Sequence, residues 1–123
     1  MTMVKVKTEE LTGAGLDWAV AKVVGVKVIT DPNSPRKRQM VEDTAAVNGW
    51  YCYSPSTDWS QGGPLIEKNY VSVQIMRGGW EADVFDARLP SLQWSNSPLE
   101  AVCRAVVASR LGGEVEVPQE LVG

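Results

Sequence analysis

The side chains best able to do chemistry in this 123-residue chain are crowded into one run, YSPSTDWSQGGPLIE, at residues 53 to 67. Ser56 and Thr57 offer hydroxyls, Asp58 a carboxylate, Trp59 an indole and Gln61 an amide, while Gly62 and Gly63 leave the backbone bare. Backbone N–H groups at the start of a helical turn beside an indole suit an anion or a planar ring, so the run reads as a binding surface. A local structural reading stands beside it. Asp58 can cap a single helical turn, Gln61 can return a hydrogen bond to the Asp58 backbone, Gly62 can end the turn left-handed and Pro64 can open a strand over residues 64 to 68. That reading absorbs four residues and leaves Trp59, Gly63, Ser56 and Thr57 over.

Catalysis has little to work with. The chain contains no histidine, which removes Ser/His/Asp and Cys/His nucleophilic catalysis together with histidine metal sites. No phosphate-cradling GxxxxGK[ST] loop and no GxGxxG fingerprint occurs. Asp83 and Asp86 sit near a strand end without a further carboxylate cluster and read as solvated strand residues. Cys52 and Cys103 are separated by about 50 residues and read as buried thiols, since free cysteine behaves as a small hydrophobe and two thiols cannot close a structural zinc site. Carboxylates, lysines, tyrosines and serines remain as acid, base or nucleophile, so a histidine-free hydrolase is the less favoured reading, and no catalytic residue, metal or cofactor is expected.

A formal charge of −3 repels phosphate backbones, which disfavours broad nucleic-acid binding. The basic triplet Arg36, Lys37 and Arg38 is followed closely by Glu42 and Asp43 and reads as a solvated loop. The N-terminal MTMVKVKTEE has charges where a signal peptide needs an apolar centre, and no apolar run approaches the ~20 residues that cross a bilayer, so a cytoplasmic location without membrane contact is expected.

Two helices must carry these residues. Leu16, Ala19, Val20, Val23 and Val24 recur at helical spacing, with Gly25 as a left-handed stop, which predicts a helix within residues 11 to 25. Trp18 lies off that stripe, with Leu11, Ala14 and Ala21; were that side left uncovered, a homodimer would follow. Ser97, Pro98 and Glu100 form a helix-start signature with a capping box, and Leu99, Val102, Cys103, Val106 and Val107 form the apolar stripe behind it, up to Gly112. Glu100 and Arg104 are spaced as an ion pair, and Arg110 lies on the apolar azimuth, where it can snorkel at the helix end or reach a ligand.

Between the helices the period changes to two. Residues 70 to 76 and 80 to 85 alternate around Gly78 and Gly79 and predict a hairpin. Shorter strands are expected at 26 to 30, 49 to 54 and 64 to 68, a mobile surface loop at 31 to 48, and an extended edge ending in a short turn in EVEVPQELVG. The expectation is one α+β domain over residues 1 to 123, with two helices packed on a mostly antiparallel sheet of four to five strands.

Three stretches carry a resemblance. ELTGAGLDWAVAKVVG at 10 to 25, YSPSTDWSQGGPLIE at 53 to 67 and LEAVCRAVVASRLGGEVEVPQEL at 99 to 121 resemble, in this order, the pattern of the NinX-like family of small phage and prophage proteins. Leu16 to Ala19 and Ala21 fall on the first motif; Ser56 to Trp59, Gln61 to Pro64, Ile66 and Glu67 on the second; and Arg104, Val107 to Ser109, Gly112, Glu114 to Glu116 and Pro118 on the third. Ser60 stands where alanine is more usual, Gly15 replaces a helix-favouring alanine, and residues 31 to 48 match no recurring family segment. The resemblance implies a phage or prophage accessory protein of the bacterial cytoplasm, from a family with no established activity, for which binding a host macromolecule or sequestering a small host metabolite is more natural than turnover.

The residues expected to bind a host protein or a small-molecule ligand are Ser56, Thr57, Asp58, Trp59, Gln61, Gly62, Gly63 and Arg104, with Trp18, Trp80 and Arg110 behind them.

Overall fold

Helix α3, Pro98–Leu111, is the axis around which the molecule is built. The structure is a computed structural model that describes residues 2–43, 45–46 and 48–122. In α3 Leu99 and every residue from Ala101 to Ser109 are buried, on all sides rather than on the one stripe read from the sequence. The positions off the stripe are Ala101, Ala105, Ala108 and Ser109, and small side chains let neighbouring elements pack close on every face. Ser97 caps the helix by accepting the Glu100 N–H at 3.4 Å, with Pro98 in the first turn. Glu100 does not complete the capping box. Its Oε1 accepts from the Ser95 hydroxyl at 2.7 Å and pairs with Arg104 at 3.0 Å, while Oε2 accepts from the Thr12 hydroxyl at 2.7 Å.

Around this axis the chain runs β1 (Met3–Lys7), a 3-10 turn, α1 (Gly13–Val24), β2 (Ile29–Thr30), β3 (Gln39–Glu42), β4 (Trp50–Tyr53), α2 (Trp59–Asn69), β5 (Val71–Met76), β6 (Gly79–Val84), β7 (Gln93–Ser95), α3, β8 (Glu114–Pro118) and a closing 3-10 turn. The fold is α+β as expected. Its described residues form three helices rather than two, and three small antiparallel sheets, β1-β8, β2-β3-β4 and β5-β6-β7, rather than one sheet of four to five strands. Each sheet turns an apolar face to the same core: Val4 and Val6 lie opposite Val117 and Val115, and Ala82 of β6 is fully buried. On the outer face of the first pair Lys5 opposes Glu116 and Lys7 opposes Glu114.

The predicted hairpin is present with its turn one residue earlier than read. Arg77 and Gly78 both have positive φ, 53° and 76°, as a two-residue type I′ turn requires, and Gly79 opens β6. A Cβ on Gly79 would stand 2.5 Å from Trp94 Cζ2, so this glycine makes room for an indole rather than for a turn. The segment 31 to 48, read as a loop, contains β3, which pairs with β2 on one side and β4 on the other. Alternation over four residues of β3 was masked by the turn formers before it.

The largest correction is α2. Gly62 does not end a turn and Pro64 does not open a strand at 64 to 68; both, with Gly63 between them, lie inside an 11-residue helix. Relative to alanine, two interior glycines and a proline disfavour a helix by about 5 kcal/mol, so contacts outside the segment must hold it. Gly62 and Leu65 are its buried residues, and Tyr70 ends it in the left-handed region at φ 53°.

Candidate functional site

The run at 54 to 63 is fastened at five points, within itself and to the rest of the molecule, before any partner is considered. The Ser54 carbonyl accepts from the N–H groups of Thr57 and Asp58, at 3.1 and 2.8 Å, which closes the loop. Asp58 caps α2 as expected, its Oδ1 accepting the Ser60 N–H at 2.9 Å and the Ser60 hydroxyl at 2.7 Å. Gln61 does not return to the Asp58 backbone. Its Oε1 accepts the Ser54 N–H at 2.6 Å and its Nε2 donates to the Cys52 carbonyl at 2.8 Å, so the amide lies against β4 as a strand would. Gly62 is where α2 touches the loop and α3: a Cβ there would collide with the Pro55 carbonyl and stand 2.7 Å from Leu99 Cδ2.

The fifth fastening joins α1. The Ser56 N–H donates to Asp17 Oδ1 at 2.9 Å, and both residues are buried. Burial pushes the Asp17 carboxyl up to about 6, and hydrogen bonding from Ser56 pulls it only part of the way back. Burial likewise pushes the nearby Tyr53 phenol up to about 12 and raises the Cys103 thiol. Both cysteines are free. Asp17 lies between Leu16 and Val20 on a helix otherwise buried through apolar residues, and that isolated carboxylate was the signal by which this link could have been read in advance.

Of the residues singled out from the sequence, Ser56 and Gly62 are thus buried and Gln61 is bonded to β4, whereas Thr57 is exposed and Asp58 half-buried. Trp59 is 56% exposed at the first turn of α2, and Gly63 lies against its ring, at 3.8 Å from a Cβ position to Trp59 Cε3. Two further aromatics, Trp50 and Tyr51, are partly exposed on β4, the strand to which Gln61 is bonded.

Arg104 lies apart from this group. It is buried, donates from Nε to the Leu11 carbonyl at 2.8 Å and from Nη1 to the Trp94 carbonyl at 2.9 Å, and pairs with Glu100. The cleft it helps to line, about 400 Å³, is bounded by Glu9, Glu10, Arg77, Glu81 and Trp94 among others. Arg110 is exposed and donates to the Val23 carbonyl at 3.1 Å and the Asn69 amide oxygen at 3.5 Å, so its charge sits at the C-terminal ends of all three helices. Trp18 is half-buried with the Lys22 ammonium 5.3 Å from its ring centre, and Trp80 is half-buried opposite Ser95. Asp83 accepts from the Ser91 hydroxyl at 2.7 Å, and Arg38 of the basic triplet pairs with Asp31 at 2.8 Å. Among the described residues no group of three or more cysteine, aspartate or glutamate side chains is placed to hold a metal ion, and no helix is long and apolar enough to cross a membrane.

This arrangement of a capped helix start, a glycine pinned under a loop and an indole left outside rests on the STDWSQGGP stretch. A sequence model of the family described as "Bacteriophage P22, NinX" matches residues 7–110. The chain belongs to the NinX family. The NinX match takes in α1, α2 and all of α3 but its last residue, together with β2 to β7, and therefore every fastening described above. It ends before β8, so the β1-β8 sheet lies outside it apart from Lys7. No curated protein matches the chain.

Proposed function

We propose that this NinX-family chain is a non-enzymatic phage accessory protein that binds a host protein in the bacterial cytoplasm, through a surface presented by Thr57, Asp58, Trp59 and Gly63. Ser56, Gln61 and Gly62 serve this surface from behind, by holding the loop and helix start in place. Arg104 plays no part in the contact and acts on the core. One observation carries the reading: Trp59 is 56% exposed on a helix start held by the hydrogen bonds of Ser56 to Asp17, Ser60 to Asp58 and Gln61 to Cys52. A rigid indole loses little entropy on binding, and tryptophans dominate the energetics of protein interfaces. An open indole flanked by small and polar groups favours a protein surface over an enclosed metabolite.

The test is affinity capture from host lysate with the unmodified chain, Trp59→Ala and, as a control at another exposed aromatic, Tyr70→Ala. A host protein retained by the unmodified chain and by Tyr70→Ala but bound about 30-fold or more weakly by Trp59→Ala supports the reading. Equal retention by all three overturns it.

A further inference from the structure

The free edges of the three sheets are not alike. β1 carries Lys5 and Lys7, β8 carries Glu114 and Glu116 and ends in Pro118, β2 has two residues and β7 three, and the outer edge of β4 is met by the Gln61 side chain. Charges, proline, shortness and cover are the usual ways in which an edge is kept from pairing with another chain. β5, VSVQIM, has none of the first three: it is six residues long, uncharged and at the end of its sheet, and it is open to solvent from Ser72 onward, with only Val71 buried.

The hydrogen-bonding parity of β5 is fixed by its hairpin. Tyr70, directly opposite Phe85, accepts the Phe85 N–H at 2.9 Å, so Tyr70 and Phe85 form a hydrogen-bonded pair. Every second residue then follows: Ser72, Gln74 and Met76 direct their backbone groups to β6, and Val71, Val73 and Ile75 direct theirs outward. Among the described residues no other strand or loop backbone bonds to those outward groups. The side chains of the same three residues lie on the sheet face that packs toward α3, but the cover is incomplete. Val71 is buried, Val73 half-buried and Ile75 is 72% exposed.

We propose that β5 is a self-association edge, on which a second copy of this chain pairs antiparallel about a two-fold axis through Val73. In that register Val71 lies opposite the partner's Ile75, and Val73 opposite the partner's Val73. All of these residues have outward backbone groups, so each facing pair exchanges both of its N–H···O bonds. Side chains stay on their proper faces: the valines and Ile75 make one continuous apolar ridge, and Ser72 meets the partner's Gln74 on the polar side. A shift by one residue would set apolar against polar faces. The strand is therefore self-complementary, with no like charges brought together, which is what an isologous contact requires and what singles out a second copy among possible strands. The partner's Ile75 comes to lie beside Val71, so the side chain each monomer leaves open is the one that its copy covers.

Sedimentation and residue-resolved amide exchange test this on the full chain. The unmodified protein is expected to sediment at twice the monomer mass at high concentration, and Ile75→Lys, at a site open enough to leave the monomer folded, to return it to half that mass with an unchanged circular dichroism spectrum. In the unmodified chain the Val71, Val73 and Ile75 amides are expected to exchange about tenfold or more slowly at high than at low concentration, while those of Ser72 and Gln74 are protected at both. A monomer at every concentration overturns the proposal. So does a dimer that Ile75→Lys leaves intact, or one whose formation leaves the exchange of those three amides unchanged.

Discussion

Gly62 of α2 lies against the backbone of Pro55, and the space a Cβ would need is already filled by the Pro55 carbonyl on one side and by Leu99 of α3 at 2.7 Å on the other. Its neighbour Gly63 has no such restriction, since a Cβ there meets only Trp59 at 3.8 Å. Adjacent glycines in one helix should therefore respond to substitution in opposite directions.

Gly62→Ala is expected to destabilise the chain by about 1–3 kcal/mol, because overpacking against backbone outweighs the gain in helix propensity. Gly63→Ala is expected to stabilise it by about 0.5–1 kcal/mol through propensity alone. Urea unfolding of both variants checks the pair; a loss at Gly63 equal to that at Gly62 would show that the close approach is not the cause.

Asp17 couples stability to pH. Its carboxyl titrates near 6 in the folded chain against 3.8 in the unfolded one, so the folded state holds the proton more tightly and stability from this group falls as pH rises from about 4 to 6. Above pH 6 the penalty is constant, on the order of 3 kcal/mol. Asp17→Asn cannot titrate. Its stability relative to the unmodified chain should thus climb by that order between pH 4 and 7, whatever its offset at pH 4, and a difference that stays flat across this range contradicts the assignment.

Arg104 holds the carbonyls of Leu11 and Trp94 and the carboxylate of Glu100 from inside the core. Replacing it leaves the Leu11 and Trp94 carbonyls without this donor and the Glu100 carboxylate without its counter-charge, so Arg104→Ala is expected to lose about 3–5 kcal/mol in chemical denaturation. Arg104→Lys should recover little of this, because an ammonium cannot serve three separately placed acceptors with a planar fork.

Trp59 and Asp58 separate display from fold. Trp59→Ala is expected to change stability by no more than about 0.5 kcal/mol, since Trp59 lies outside the core and is 56% exposed. Asp58→Ala removes the cap that Ser60 uses and should cost about 1 kcal/mol. Both are measured by thermal or urea unfolding, and a large loss at Trp59 would mean the indole is a core residue.

What the sequence determined by itself was whatever depends on neighbours a few residues away. The cap at Ser97, the left-handed stop at Gly25, the Asp58 cap, the β5–β6 hairpin and the extended segment at Glu114–Pro118 all follow from spacing and turn chemistry over at most a dozen residues. The family was also legible there, because its motifs are short. Tertiary structure decided the rest. A GGP run became a helix because Pro55 and Leu99 close on Gly62; Gln61 joined β4 instead of its own cap; and Asp17 and Arg104 found partners 39 and 93 residues away. The direction of Trp59 belongs to this second group. Trp59 precedes Gly62 by three positions and so lies on the flank of the face that Gly62 and Leu65 bury, and no local propensity decides that the core stops short of that flank.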